Sequence, residues 1–204
     1  MTTPRLGIFG GTFDPPHLGH LILAETAADT LRLDRVLFVP AADPPHKAAT
    51  IIRTTADHRL AMVQLAIGDN PRFALSRVDL DRPGPHYSAD MLRLLSAEHP
   101  NAALFFLIGA DSLADLPTWS RPREVFELAC LGVMRRPGVE PDVFALEDQL
   151  PGLRRRMVWI DAPYIDISAS DLARRIATGR SVRYQIPDSV CKYIEQHALY
   201  RNES

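Results

Sequence analysis

Short apolar runs alternate with helix-period stretches along almost the whole 204-residue chain. Leu6 to Phe9, and residues 35–40, 103–108, 130–134 and 157–160, have the length and β-branched or aromatic content of buried strands. Residues 73–80 alternate with period two and predict a strand nearer an edge. Residues 21–31 and 88–96 read as helices, as does a stretch capped by Thr54 or Thr55 in which Leu60, Val63 and Ile67 share a face. Strand–helix alternation of this kind closes into a mostly parallel sheet through right-handed crossovers. The expected class is therefore α/β, a doubly wound, mostly parallel sheet with helices on both faces. Residues 1–204 are expected to make one domain, with a helical part at about 165–204 packed on it. Residues 139–153, rich in Pro, Asp and Glu, read as a surface excursion, and Arg154, Arg155 and Arg156 as a solvated face.

In such sheets ligands gather at the carboxyl ends of strands. Here those ends carry the polar, glycine- and proline-rich chemistry. The first strand runs into Gly10 and Gly11, makes a turn braced by Pro15 and Pro16, and opens into a helix. Two missing side chains let a ligand approach the backbone, and a helix start favours a phosphate. His17 and His20, three apart, fall on one helical face, with Gly19 keeping the surface low between them. The bland alternative is a strand–helix turn with two surface histidines. Neither G-x-G-x-x-G nor G-x-x-x-x-G-K-[ST] occurs, which argues against dinucleotide redox enzymes and P-loop NTPases.

Bulk properties narrow the partners. A net charge of −2 gives no reason to expect nucleic acid or an anionic membrane surface, and no window approaches the length of a membrane span. Cys130 and Cys191 are far apart and lack metal-binding spacing, and the apolar run near the N-terminus is too short for a signal peptide. A cytoplasmic location is expected. No carboxylate cluster suggests a dedicated metal cage. Oligomeric state stays open, with a homo-oligomer compatible with the sequence.

From Gly10 to His20 the chain resembles the G-[GS]-[TS]-F-D-P-x-H-x-G-H segment of the adenylyltransferases, complete over that pattern. Pro44-Pro45-His46-Lys47 resembles the P-P-H-[KR] loop of bacterial nicotinate-nucleotide adenylyltransferases, and the likeness continues through His86-Tyr87-Ser88, Ile108-Gly109-Ala110-Asp111-Ser112, Pro117-Thr118-Trp119 and Arg135-Arg136-Pro137-Gly138. The resemblance implies a Rossmann-like fold and adenylyl transfer from ATP, with Mg²⁺ carried on it, to nicotinic acid mononucleotide, in NAD biosynthesis. It implies catalytic roles for His17 and His20, and ATP contacts at Gly10, Gly11, Thr12, Phe13, His17, His20, Gly109, Asp111, Ile167, Ser168 and Ser170. Thr12, His46, Lys47, Tyr87, Ser88, Trp119, Arg135 and Arg136 would then hold the mononucleotide, with the Trp119 indole on the nicotinate ring. Residues 167–173 are similar to I-S-[SA]-[TS]-x-[IL]-R but depart at the end, where Ala173 stands in the arginine position. Arg174 follows it, about 100° further round the helix. Phosphopantetheine adenylyltransferases share the first motif but not the P-P-H-K and P-T-W loops. A nucleotide-binding regulator without turnover is a second alternative, motivated by Ala173.

Overall fold

The computed structural model describes residues 3–42, 54–68 and 70–201. Six strands form one parallel sheet: β1 (Arg5–Gly11), β2 (Arg35–Pro40), β3 (Phe73–Leu75), β4 (Ala103–Gly109), β5 (Cys130–Met134) and β6 (Met157–Ile160). Their order is β3-β2-β1-β4-β5-β6. The chain winds outward from β1 to β3, returns to β4 on the other side of β1, and winds outward again. The connections leaving β1 and β4 therefore diverge, which opens a crevice above their carboxyl ends.

Side-chain alternation along the strands builds two cores. Ile8, Phe106, Ile108, Leu131 and Val133 face α3 (Ser88–Glu98) and α5 (Pro122–Leu128), where Leu92, Leu95 and Val125 meet them. Phe9, Phe38, Phe105 and Leu107 face α1 (Leu18–Thr30) and α2 (Ala56–Ile67). The small Ala24, Ala27 and Ala28 let α1 lie close on the sheet. A third cluster joins Met62 and Ala66 of α2 to Leu172 of α7 (Ala169–Ala177) and to Val190 and Ile194 of α8 (Asp188–Gln196). Between these, α4 (Ala110–Asp115) follows β4 directly, and α6 (Val143–Gln149) follows β5.

Two expectations are corrected. The strand predicted over 73–80 stops at Leu75, because the Leu80 and Asp81 amides fold back onto the Arg77 carbonyl and make a turn. The excursion predicted over 139–153 contains α6, started by Asp142, whose side chain accepts from the Phe144 and Ala145 amides. Leu146, Leu150 and Leu153 from this segment are buried. The three arginines that follow are exposed, as expected: Arg154 lies 4.4 Å over the Phe144 ring, and Arg156 donates to the Phe126 and Glu127 carbonyls at the end of α5. No helix among the described residues is long and apolar enough to cross a membrane.

Candidate active site

The turn between β1 and α1 is built largely from its own side chains. Phe13 takes a left-handed φ of 52°, which folds its ring back over Gly11. A Cβ on Gly11 would stand 2.8 Å from that ring, so the glycine accommodates Phe13 as well as any ligand. His17 is not inside the helix; it is the extended residue that begins it, with φ −143° and ψ 170°. Its ring lies over Gly19, where a Cβ would come within 3.0 Å of Nδ1. The two imidazoles stack with centroids 3.7 Å apart, 24° from parallel. The low surface that the sequence places at Gly19 thus makes room for an imidazole of the protein itself.

Burial and one hydrogen bond constrain the protons of the stack. Burial pushes the His17 pKa down to about 4, so this imidazole is neutral at pH 7. The His17 backbone amide donates to His20 Nδ1 at 3.1 Å. A ring nitrogen that accepts carries no proton, so neutral His20 presents its N–H at Nε2. Thr12 Oγ1 and His17 Nδ1 are buried with no hydrogen-bond partner among the described residues, which is the condition of groups placed for a polar ligand. The helix start itself is less open than the sequence implied, because the Leu18 amide already donates to the Gln185 carbonyl at 2.9 Å.

Further predicted residues follow the same carboxyl ends of the sheet. Gly109 precedes α4 at the end of β4, with open space where a side chain would be. Asp111, half-exposed, pairs with Arg136 at 3.0 Å; Arg135 instead bonds Asp161 at 2.9 Å and lies over the Trp159 ring. The segment before α7 passes beside the histidines, since a Cβ on Gly19 would lie 4.0 Å from Ile165. It leads through Ile167 to Ser168, whose hydroxyl caps α7 at the Asp171 amide, and to Ser170. Ser168, Ser170 and Ala173 line a cleft of about 780 Å³, together with Arg174, Tyr200 and Arg201. Arg174 is well exposed there and paired with Asp171.

On the other face of the sheet, Tyr87 and Ser88 begin α3. Arg121 sits over the Tyr87 ring and bonds Asp90, which ties the loop holding Trp119 to that helix start. Trp119 is half-buried against Phe106, edge to face, so one side of the indole belongs to the core. His46 and Lys47 lie outside the described residues.

Sequence reasoning missed four groups. Asp14 and Arg59 are buried charges behind the turn. Asp79 and Arg82 form a buried pair, and Arg82 also donates to the Pro85 and Tyr87 carbonyls, which braces the approach to α3. A charge inside an apolar helical pattern, such as Arg59 beside Leu60 and Met62, was the available signal. Around the crevice the polar side chains are imidazole, hydroxyl and guanidinium, which suit phosphate, with the Asp111 carboxylate among them. Among the described residues no group of three or more His, Cys, Asp or Glu comes together in a metal-holding arrangement.

Residues 8–175 match the family model described as cytidylyltransferase-like. The chain is 54% identical over 197 residues to a probable nicotinate-nucleotide adenylyltransferase of Thermomicrobium roseum, covering 97% of this chain and 92% of that one. It is 47% identical over 201 residues to one from Roseiflexus castenholzii, covering 98% and 100%. In three dimensions it is similar to the Plasmodium falciparum nicotinic acid mononucleotide adenylyltransferase complexed with NaAD. That likeness has a TM-score of 0.76 at 18% identity over 97% of each chain.

Proposed function

The chain belongs to the nicotinate-nucleotide adenylyltransferases, within the cytidylyltransferase-like nucleotidyltransferases, and from that premise we propose how its residues carry out the transfer. ATP, entering with Mg²⁺, lies across the crevice with its triphosphate against the β1 turn. Nicotinic acid mononucleotide lies beside it, towards α3. A phosphate oxygen of the mononucleotide attacks the α-phosphorus in line. The new O–P bond forms as the bond from that phosphorus to the bridging oxygen breaks, and pyrophosphate leaves with the electron pair. The attacking phosphate is already an anion at neutral pH, so no protein nucleophile is needed.

What remains for the protein is positioning and stabilisation of charge on the α-phosphoryl oxygens. The observation that carries this reading is the stacked imidazole pair. His20 is held with Nδ1 accepting and so donates from Nε2, while His17, neutral by burial, is stacked against it with one N–H to give. Gly109 and Asp111 receive the adenosine ribose, and Ser168 and Ser170 approach the triphosphate. Tyr87 and Ser88 hold the nicotinate carboxylate at the α3 start, and the exposed side of Trp119 takes the nicotinate ring. Arg135 and Arg136 exchange their carboxylate partners for phosphate. His46 and Lys47 are assigned to the mononucleotide phosphate by resemblance alone.

The test uses ATP made chiral at the α-phosphorus by one sulfur. A single in-line displacement gives a dinucleotide of inverted configuration; retention would mean a covalent enzyme intermediate and would overturn the scheme. Pyrophosphate release with nicotinic acid mononucleotide, nicotinamide mononucleotide and phosphopantetheine fixes the acceptor. The first is expected to give the highest kcat/KM.

A further inference from the structure

Behind the β1 turn lie two buried charges that touch no expected substrate group. Arg59, on α2, is 1% exposed, and Asp14 is 4% exposed. Burying charges costs several kcal/mol unless every polar atom finds a partner, and stability alone is often served better by apolar packing. The direction of their hydrogen bonds is therefore informative. Arg59 donates through its two terminal nitrogens to the Thr12 carbonyl at 3.1 Å, to Ala41 at 2.6 Å and to Ala42 at 3.3 Å, while its buried Nε finds no partner among the described residues. These carbonyls belong to the turns leaving β1 and β2. Asp14 accepts from the Thr54 amide and hydroxyl, at 3.3 and 2.7 Å, and from the Tyr200 hydroxyl at 2.6 Å. Both charges spend their bonds on fixing the turn and its surroundings.

Holding the Thr12 carbonyl fixes the peptide that leads into Phe13. Phe13 needs that support, because a left-handed φ on a bulky residue costs about 1–3 kcal/mol and persists only where neighbours impose it. In that conformation the Phe13 ring meets the His20 ring edge to face at 5.0 Å, while His17 stacks on His20. His20 is thus set between Phe13 and His17, and the Phe13 side of that seating traces back to Arg59.

We propose that Arg59, with Asp14 and Tyr200 as its counterweight, is the positioning machinery of the turn: it holds the Thr12–Phe13 peptide so that His20 is aimed before substrate arrives. Arg59 touches no reacting atom; it acts through Thr12 and Phe13. The inference rests on the adenylyl-transfer reading for its kinetic consequence, but not for its structural one.

The experiment compares Arg59→Lys and Arg59→Met with the unaltered protein at a temperature well below unfolding. Arg59→Lys keeps the charge beside Asp14 but loses the guanidinium fork. It is expected to lower kcat about tenfold, and Arg59→Met about 100-fold, with KM for both substrates within about threefold. A role in stability alone would not move the imidazole nitrogen spectrum of His20. In the unaltered protein that spectrum should report the Nε2–H form, and in Arg59→Lys a mixture of tautomers. A folded Arg59→Lys protein with kcat within about twofold and an unchanged imidazole spectrum would overturn the proposal. If the Arg59 variants do not fold, Tyr200→Phe, which removes only the hydroxyl bonded to Asp14, should lower kcat about threefold or more; unchanged kcat and an unchanged His20 spectrum would overturn it equally. Failure of the unaltered protein to use nicotinic acid mononucleotide would sink the functional reading instead, and the spectrum would still test the positioning.

Discussion

The turn after β1 and the rim above β4 and β5 both serve the crevice, yet they are built in opposite ways. In the turn, His17 and Phe13 are buried, His20 is held on both sides, and each group has one conformation enforced by its neighbours. At the rim, Asp111, Arg135 and Arg136 are half-exposed and hold one another or Asp161 through ion pairs. Exposed pairs are worth about 0–1 kcal/mol, so a ligand can replace them at small cost. On the proposed reading the contrast divides the labour: groups that must be in place when charge develops on phosphorus are fixed by burial, and groups that must let go of product are left exchangeable.

The largest effect that would break this comparison is at His20. His20→Ala should lower kcat by about 10²–10³, measured by pyrophosphate release, with a much smaller change in substrate affinity. A loss confined to KM would put His20 with the rim. Next comes the acid limb of stability. The His17 pKa of about 4 in the folded chain lies below the ordinary 6.5, so the unfolded chain takes up this proton first as pH falls. The contribution is complete above pH 6.5 and is lost progressively between 6.5 and 4, amounting to about 3 kcal/mol. Denaturant unfolding across that range should show the slope, and His17→Gln should flatten it.

A smaller change sharpens the picture. Gly19→Ala places a methyl against the His17 ring and should lower kcat about tenfold with little change in melting temperature. At the rim, Arg136→Ala should raise the KM for nicotinic acid mononucleotide about threefold to tenfold and leave kcat and stability nearly unchanged. The smallest effect is expected at Ala173. Ala173 borders the cleft beside Ser168 and Ser170 but is itself buried, so Ala173→Arg must turn its guanidinium out into the cleft; it should lower the KM for ATP about twofold to threefold and also lower the melting temperature. If KM holds steady while Arg174→Ala raises it strongly, the neighbouring arginine already fills that role.

Much of the fold was legible because its signals are local. Five of the six predicted strands, and the glycine turn between β1 and α1, announce themselves within a few residues. Residues 73–80 misled because period two also fits a short strand followed by a turn that buries Asp79. α6 was hidden because its seven residues are too few to establish a period, and its best marker is the single cap at Asp142. At the site, residue types were readable but their reasons were not. Gly11 and Gly19 looked like openings for ligand, whereas each also faces a ring of the protein itself. Arg59, Asp14 and Tyr200 left no joint trace, since their bonds span 17 to 186 positions of sequence and only the folded sheet brings them together.

The bond from Tyr200 to Asp14 has a consequence for how the protein comes into being. The ribosome makes the histidine turn well before it adds the hydroxyl that steadies Asp14, which comes 186 positions later. A growing polypeptide can therefore carry the whole sequence from Gly10 to His20 in an unfinished shape. Competence arrives only together with the distant tyrosine, and fragments that stop short of it should be sluggish.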